Sequence, residues 1–214
     1  MFDGTDAEWP LSRAVDTDFH LRAEGRLPPE SPPVAEQPEE LTYDPMDPVP
    51  TTGGALLLTD DVRPGPLDQT AVEAREDVLV FTTEALTEDI EVTGRVKPVL
   101  FAATDGPSTD WVARLCDVDE HGVSRNVTDG IVRVRGKRHR ARRPSTSWTC
   151  GRTASSSAPD AAGVQITSSN FPRWDRNLNT GEPEESATTA RVARQRVFRD
   201  PARPSRIVLP VVPG

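Results

Sequence analysis

The sequence predicts an all-β protein, a jelly-roll β-sandwich, and three observations support this fold class. The chain is 35% apolar and only 5% aromatic, and its 214 residues include 21 prolines, a composition that does not suit a helical bundle. Short apolar runs recur along the chain with Gly, Asp and Asn between them. Within several runs apolar and polar side chains alternate, which is the period of a half-buried strand. Many short strands at regular spacing are typical of a sandwich or a jelly roll.

The strand pattern begins at residue 77. Residues 78–83 form a run of apolar and β-branched side chains, which predicts a well-buried strand. Residues 90–94 and 96–102 predict the next two strands, with turn residues between them. Pro98 has no N–H to give to a ladder, so we expect it at an edge or a bulge.

The pattern continues to the end of the chain. Residues 111–118 alternate as a strand, and residues 119–122 predict a tight turn into the next one. Residues 131–135 and 205–212 predict two further strands. Residues 164–181 predict a strand that breaks before Pro172 and then an ordered loop rich in Asn, Asp and Gly.

The first quarter of the sequence divides into two segments that precede this β domain. Residues 1–27 hold two short apolar pieces and resemble the end of another domain. Residues 28–52 carry closely spaced prolines and acidic residues, which predicts an extended linker without a core. Gly53 and Gly54 then open an apolar run, so we assign the β domain to residues 53–214.

Residues 136–163 interrupt the pattern. The segment begins with a dense basic cluster at 137–143, and no acidic residue occurs between positions 130 and 159 of this otherwise acidic chain. The cluster is consistent with a nucleic-acid or targeting patch, or with a solvated loop. A third explanation is a pair of compensating frameshifts. Trp148 and Thr149 require the bases TGG-ACN, and a frame offset by two bases reads Asp there. The same frame allows Leu-Trp next, which would restore an alternating strand.

The overall charge and the lack of targeting features exclude several classes of protein. The net charge of −9 argues against a general nucleic-acid binder. No apolar run approaches the roughly 20 residues that span a bilayer, and the acidic start has no signal-peptide pattern. Cys116 and Cys150 make no disulfide framework, and Cys116 lies in an alternating strand as a small core residue. We therefore expect a cytoplasmic protein that binds neither nucleic acid nor membrane.

Motifs that carry chemistry are absent from the sequence. A serine hydrolase of the α/β type places its nucleophile in Gly-x-Ser-x-Gly, and the sequence around Ser108 fails that pattern at its last position. His20, His121 and His139 have no evident nucleophile partner. The sequence also has no zinc or calcium spacing and no phosphate-binding glycine loop, so we predict no catalytic residue, no metal site and no cofactor.

Several separated motifs nevertheless resemble one family. Residues 168–181 are similar to a signature in the C-terminal domain of X-Pro dipeptidyl-peptidase-like and cocaine esterase-like serine hydrolases. Residues 77–94, 109–118, 129–133 and 204–210 resemble further strands of that domain, in the same order. The resemblance implies a galactose-binding-like jelly roll that accompanies an α/β-hydrolase catalytic body with a Ser-His-Asp triad.

The resemblance also bears on function. The segment around Trp9 is similar to the stretch that follows the family's catalytic His, which implies that the triad lies before Met1 and that this chain alone is inactive. The implied partner is the α/β-hydrolase catalytic domain, through which a small ester or peptide substrate is bound. Leu57 and Leu58 resemble the part of the family's domain that reaches the substrate pocket, and plain core leucines are the alternative for both.

Two other interpretations stay open at this stage. The chain is a stand-alone ligand- or carbohydrate-binding jelly-roll module if it presents an exposed aromatic platform. It is a remnant that does not fold if residues 136–163 have cost the sandwich a strand, because domains are only about 5–15 kcal/mol stable.

Overall fold

Two antiparallel sheets pack face to face in the computed structural model, which describes residues 9, 11–55, 63–88, 90–135, 145–147, 150–153, 161–183 and 185–213. The larger sheet is formed by strands β1 Val15–His20, β2 Glu39–Tyr43, β4 Glu91–Val92, β5 Gly94–Thr104, β8 Ser145–Ser147, β9 Cys150–Thr153, β11 Ala193–Val197 and β14 Arg206–Val212. The smaller sheet is formed by β3 Leu79–Thr82, β6 Ser108–Val118, β7 Ser124–Arg135 and β10 Ala161–Thr167. Three short elements complete the described part: helix α1 Thr70–Glu73, a 3₁₀ turn Ala23–Gly25 and the hairpin of β12 Arg199–Asp200 with β13 Arg203–Pro204.

The strand order places β5 at the centre of the larger sheet. Its main path runs β1-β14-β5-β11-β2, with β4 added to β14 and with β8 and β9 added to β5. The smaller sheet has the order β3-β10-β6-β7. The prediction of an all-β sandwich is confirmed.

One apolar core fills the space between the sheets. The larger sheet contributes side chains such as Leu100 and Leu209, and the smaller sheet contributes Phe81, Trp111 and Ile166. In β6 both faces are buried, because alternate residues point either into this core or toward the loops that cover the smaller sheet. The sandwich therefore has a third, outer layer on that side, built from loops.

Two described strands that precede residue 53 pack as part of the sandwich. Strand β1 pairs with β14 from Val15↔Val211 to His20↔Arg206, and Phe19 lies in the core. Strand β2 pairs with β11, and its Leu41 and Tyr43 are buried. The expectation of a coreless linker over residues 28–52 is therefore wrong for β2, whose alternating pattern is short and flanked by prolines. The domain boundaries themselves, after residues 27 and 52, stay a prediction.

Two further expectations differ from the structure. Pro98 lies in the central strand β5 rather than at a sheet edge, between residues 94–96, which pair with β9, and residues 99–101, which pair with β8. A register shift, as at a bulge, occurs just before it, between Arg95 and Val96. Residues 145–147 and 150–153 form strands on β5, so the expected loss of a strand over 136–163 is not observed. Main-chain pairing does not depend on particular side chains, which explains how an anomalous segment still adds to the sheet. The frameshift itself stays a prediction.

His20 makes the stability of the fold dependent on pH. Its side chain is buried beside Asp18, Arg22 and Arg206, and burial is the main cause that lowers its pKa below 6.5. A histidine whose pKa is lower in the folded than in the unfolded protein stabilises the fold at any pH above its unfolded-state pKa. This contribution is lost as the pH falls through its folded-state pKa. We expect the free energy of unfolding, measured by urea denaturation, to fall between pH 7 and pH 5.

A His20→Gln variant is expected to flatten that pH dependence. The exposed His121, which lies 3.7 Å from Glu120, provides the matched control, and His121→Gln should leave the slope unchanged. Equal slopes in wild type and His20→Gln would contradict the assignment of the pH dependence to His20.

Candidate functional site

The outer face of the smaller sheet carries a buried polar layer. Alternation along β6 and β10 points Ala113, Leu115 and Val164 into the core and turns Arg114 and Gln165 to the opposite face. Arg114 is only 2% exposed. The described segments that cover this face are residues 44–55, residues 63–77 and the loop 168–181, so the polar layer lies between the sheet and these segments.

Arg114 holds the segment around α1 in place. Its guanidinium Nη1 donates to Gln69 Oε1 at 3.1 Å and to Gln165 Oε1. Gln165 in turn donates from Nε2 to Glu73 Oε1 at 2.8 Å. Burial lowers the pKa of Arg114. Buried polar groups need such partners, so this network fixes the position of α1 on the sheet.

Asp129 on β7 ties down the first part of the 168–181 loop. Its carboxylate accepts a hydrogen bond from Asn170 Nδ2 at 3.0 Å and lies 3.1 Å from Arg173 Nη2. Desolvation outweighs these contacts and raises the pKa of Asp129. The loop start is therefore bound to the sheet through a buried carboxylate.

Asp110 on β6 ties down the second part of the same loop. It forms a bidentate pair with Arg133, with both distances 2.8 Å, and accepts from Asn177 Nδ2 at 2.9 Å. Ser108 Oγ donates to Asn177 Oδ1 and accepts from the Gly181 amide, both at 3.0 Å. The 168–181 loop is thus ordered at both ends, as the sequence predicted.

Gly53 and Gly54 form the base of the segment that carries the predicted rim residues. Gly54 and Gly65 exchange two main-chain hydrogen bonds, of 2.7 and 2.9 Å, and this bridge closes the segment between them. Asn126 on β7 supports the bridge: its Oδ1 accepts from the Leu67 amide at 2.8 Å and its Nδ2 donates to Gly65 O at 3.3 Å. Leu57 and Leu58 lie outside the described residues, so their rim role stays a prediction.

A concavity lies beside the edge of β2 that does not pair with β11. This open cleft of about 850 Å³ is lined by Glu40, Leu41, Thr42, Asp44, Asp47, Arg75, Glu76, Asp77 and Arg194. Arg75 pairs with Asp77 at 2.7 Å and with Asp47 at 3.2 Å, and these hydrogen bonds raise the pKa of Arg75. Arg75 is therefore held by two carboxylates, and this arrangement stabilises the turn before β3.

The described residues bring together no reactive pair from the sequence analysis. His20 lies on β1, His121 lies in the exposed turn between β6 and β7, and Cys116 is buried, which raises its pKa to about 12. Across the described ranges, no three His, Cys, Asp or Glu side chains are grouped as a metal site. No described helix is long and apolar enough to cross a membrane. The geometry of this face serves to hold loops in place, and such a face can support a neighbouring site.

The match to known sequences decides the family. A family model described as the X-Pro dipeptidyl-peptidase C-terminal non-catalytic domain matches residues 3–151.

The chain belongs to this family.

Relatives of this X-Pro dipeptidyl-peptidase C-terminal domain are longer proteins. The chain is 36% identical to the cocaine esterase of Rhodococcus sp. (strain MB1 Bresler), over 97% of this chain and 39% of the esterase. It superposes on an aminopeptidase from a marine-sediment Thaumarchaeota archaeon with a TM-score of 0.81 at 27% identity, covering 96% of this chain and 38% of that one. An α-amino acid ester hydrolase gives a TM-score of 0.78 at 29% identity, covering 92% and 36%. The chain therefore spans less than two-fifths of the relatives it matches.

The polar layer of this C-terminal domain was missed by sequence reasoning. Arg114 and Gln165 occupy the polar positions of alternating strands, which ordinarily face solvent. A hint existed in the covering segments, since residues 44–77 and 168–181 supply many amides and carboxylates. Nothing in one sequence shows which of those groups meets which strand.

Proposed function

We propose that this chain is the accessory β-sandwich domain of an X-Pro dipeptidyl-peptidase-like serine hydrolase that cleaves ester or amide bonds. The observation that carries the proposal is the match of 97% of this chain to only 39% of a cocaine esterase, together with a family described as non-catalytic. The partner is an α/β-hydrolase catalytic body that supplies the Ser-His-Asp triad. Acyl transfer through a serine acyl-enzyme and its oxyanion hole belongs to that body.

The sandwich contributes structure to this chemistry. Its buried polar layer fixes the bridge between Gly54 and Gly65, and the segment closed by that bridge carries Leu57 and Leu58. In the proposal these leucines form an apolar part of the pocket rim, where they pack on a small ester or amide substrate. The hydrogen bonds of the bridge hold the two ends of this segment, and groups that are already ordered lose little freedom when substrate binds.

The alternative of a stand-alone carbohydrate-binding module has less support. Trp111 lies in the core at 3% exposure, and the guanidinium of Arg173 lies 4.7 Å from the ring centroid of Trp174. Trp148 lies outside the described residues. These positions offer no open aromatic platform among the described tryptophans of the sandwich.

Activity measurements on two proteins test the proposal. The isolated chain is expected to hydrolyse p-nitrophenyl acetate no faster than its heat-denatured control. A chimera in which this chain replaces the matched segment of the Rhodococcus cocaine esterase is expected to hydrolyse the ester, and a Ser→Ala change at the esterase nucleophile should abolish this activity. Hydrolysis by the isolated chain, or a folded but inactive chimera, would contradict the proposal.

A further inference from the structure

An exposed apolar patch lies where two covering loops meet. We name it the Phe171 patch, and it consists of the exposed Met46, Phe171 and Pro172 together with the half-buried Arg176, whereas the neighbouring Pro45 is buried. Met46 is 67% exposed and Phe171 is 40% exposed. Arg176 joins the two loops, because its Nη1 donates to Pro45 O at 3.1 Å and its guanidinium lies 5.9 Å from the Phe171 ring centroid.

The patch is held in one conformation by contacts beneath it. The Phe171 amide donates to Val49 O at 2.9 Å, and Phe171 O accepts from the Thr51 amide at 2.7 Å. The turn that carries Met46 is fixed by Asp44, whose Oδ1 accepts from the Met46 amide at 2.8 Å. Groups that are already ordered lose little conformational entropy on association, which favours their use in an interface.

The opposite side of the molecule has a different character. The outer face of the larger sheet carries ion pairs across its strands: Asp16 with Lys97, Asp18 with Arg206 at 2.9 Å, and Glu40 with Arg196 at 2.7 Å. Most of these side chains are substantially exposed. Such paired charges are typical of a solvated surface, whereas aromatic, Met and Arg side chains are enriched in protein interfaces.

We propose that the Phe171 patch is the face on which the α/β-hydrolase catalytic body docks; this inference rests on the proposed function. This chain spans only 36–39% of its relatives, and in the proposal the catalytic body makes up part of the remainder. The patch combines an exposed aromatic ring with a neighbouring Arg, the composition of interface hot spots. The patch also lies near the bridge between Gly54 and Gly65, because Arg173 follows Pro172 in sequence and a Cβ on Gly54 would lie 2.9 Å from Arg173 Nη1. A body seated on the patch therefore lies next to the bridge between Gly54 and Gly65.

The cocaine esterase chimera containing the full chain tests this docking face. Phe171→Asp and Met46→Asp are compared with Val34→Asp, a control in which an equally apolar side chain, 62% exposed, is changed outside the patch. Burying an unpaired carboxylate at the interface is expected to shorten the half-life of thermal inactivation of the chimera at least about tenfold. Val34→Asp should stay within about twofold of the unmodified chimera. The melting temperature of the isolated chain should be unchanged by all three substitutions.

Each outcome has one meaning. An active chimera in which all three variants behave alike would overturn the docking face and leave the proposed function standing. A folded but inactive unmodified chimera would overturn both. A lowered melting temperature of the isolated Phe171→Asp variant would show that the patch stabilises the sandwich itself and would overturn its assignment as a docking face. Light scattering that shows a dimer of the isolated chain, dissociated by Phe171→Asp, would assign the patch to a second copy and overturn docking of the body.

Discussion

Replacing Phe81 with alanine is expected to lower the free energy of unfolding of the isolated chain by about 3–5 kcal/mol. Phe81 on β3 is only 1% exposed and lies in the core between the two sheets. Its loss removes a large apolar surface and leaves a cavity that strands on both sides cannot easily fill. Since domains are stable by only about 5–15 kcal/mol, this one change removes a large share of the total. Urea denaturation followed by circular dichroism measures the effect.

Phe171→Ala is the matched control, because the same atoms are removed from an exposed site. We expect its midpoint of denaturation to lie close to wild type, since surface substitutions usually change stability by less than about 0.5 kcal/mol. Equal destabilisation by Phe81→Ala and Phe171→Ala would show that the sandwich core is not where the structure places it.

Replacing Gly53 with alanine is expected to destabilise the bridge between Gly54 and Gly65 by about 1–3 kcal/mol. Gly53 has a φ of +70°, and a Cβ there would lie 2.4 Å from Gly65 O and 2.8 Å from Asn126 Oδ1. Both atoms belong to the hydrogen-bonded bridge, so the bridge must open to accept the methyl group. Amide hydrogen exchange at Gly54 and Gly65 reports this opening directly.

A Gly65→Ala variant distinguishes the destabilising effect of the positive φ from that of the steric clash. Gly65 has a φ of +95°, but a Cβ there would have no neighbour within 4 Å. We expect Gly65→Ala to be less destabilising and to preserve more protection of the Gly54 amide. Faster exchange in Gly65→Ala than in Gly53→Ala would contradict the clash as the cause.

The strands that carry a clear local apolar pattern were predictable from that pattern alone. Residues 111–118 predict most of β6, residues 96–102 lie within β5, and residues 205–212 match β14. The turn at 119–122 also forms as expected, with Gly122 at a φ of +79°. In these segments burial of one face and main-chain pairing favour the same conformation.

The early strands and the polar layer were not predictable for a different reason. Strands β1 and β2 are short and lie among acidic residues and prolines, and they are stabilised by β14 and β11 from the far end of the chain. Arg114 and Asp129 look like solvent-facing residues until the covering loops are in place. Both features depend on tertiary contacts between distant segments, which composition and periodicity do not encode.

The position of β14 between β1 and β5 has a consequence for synthesis on the ribosome. This strand, near the carboxyl end, pairs with β1, with β4 and with residues 97–99 of β5. A nascent chain that has not yet extruded Arg206–Val212 therefore exposes unpaired strand edges and the apolar faces of Phe19 and Val92. Such edges are sites of aggregation. The larger sheet must consequently assemble after translation of its last strand, and interrupted translation should yield insoluble chains rather than a smaller folded domain.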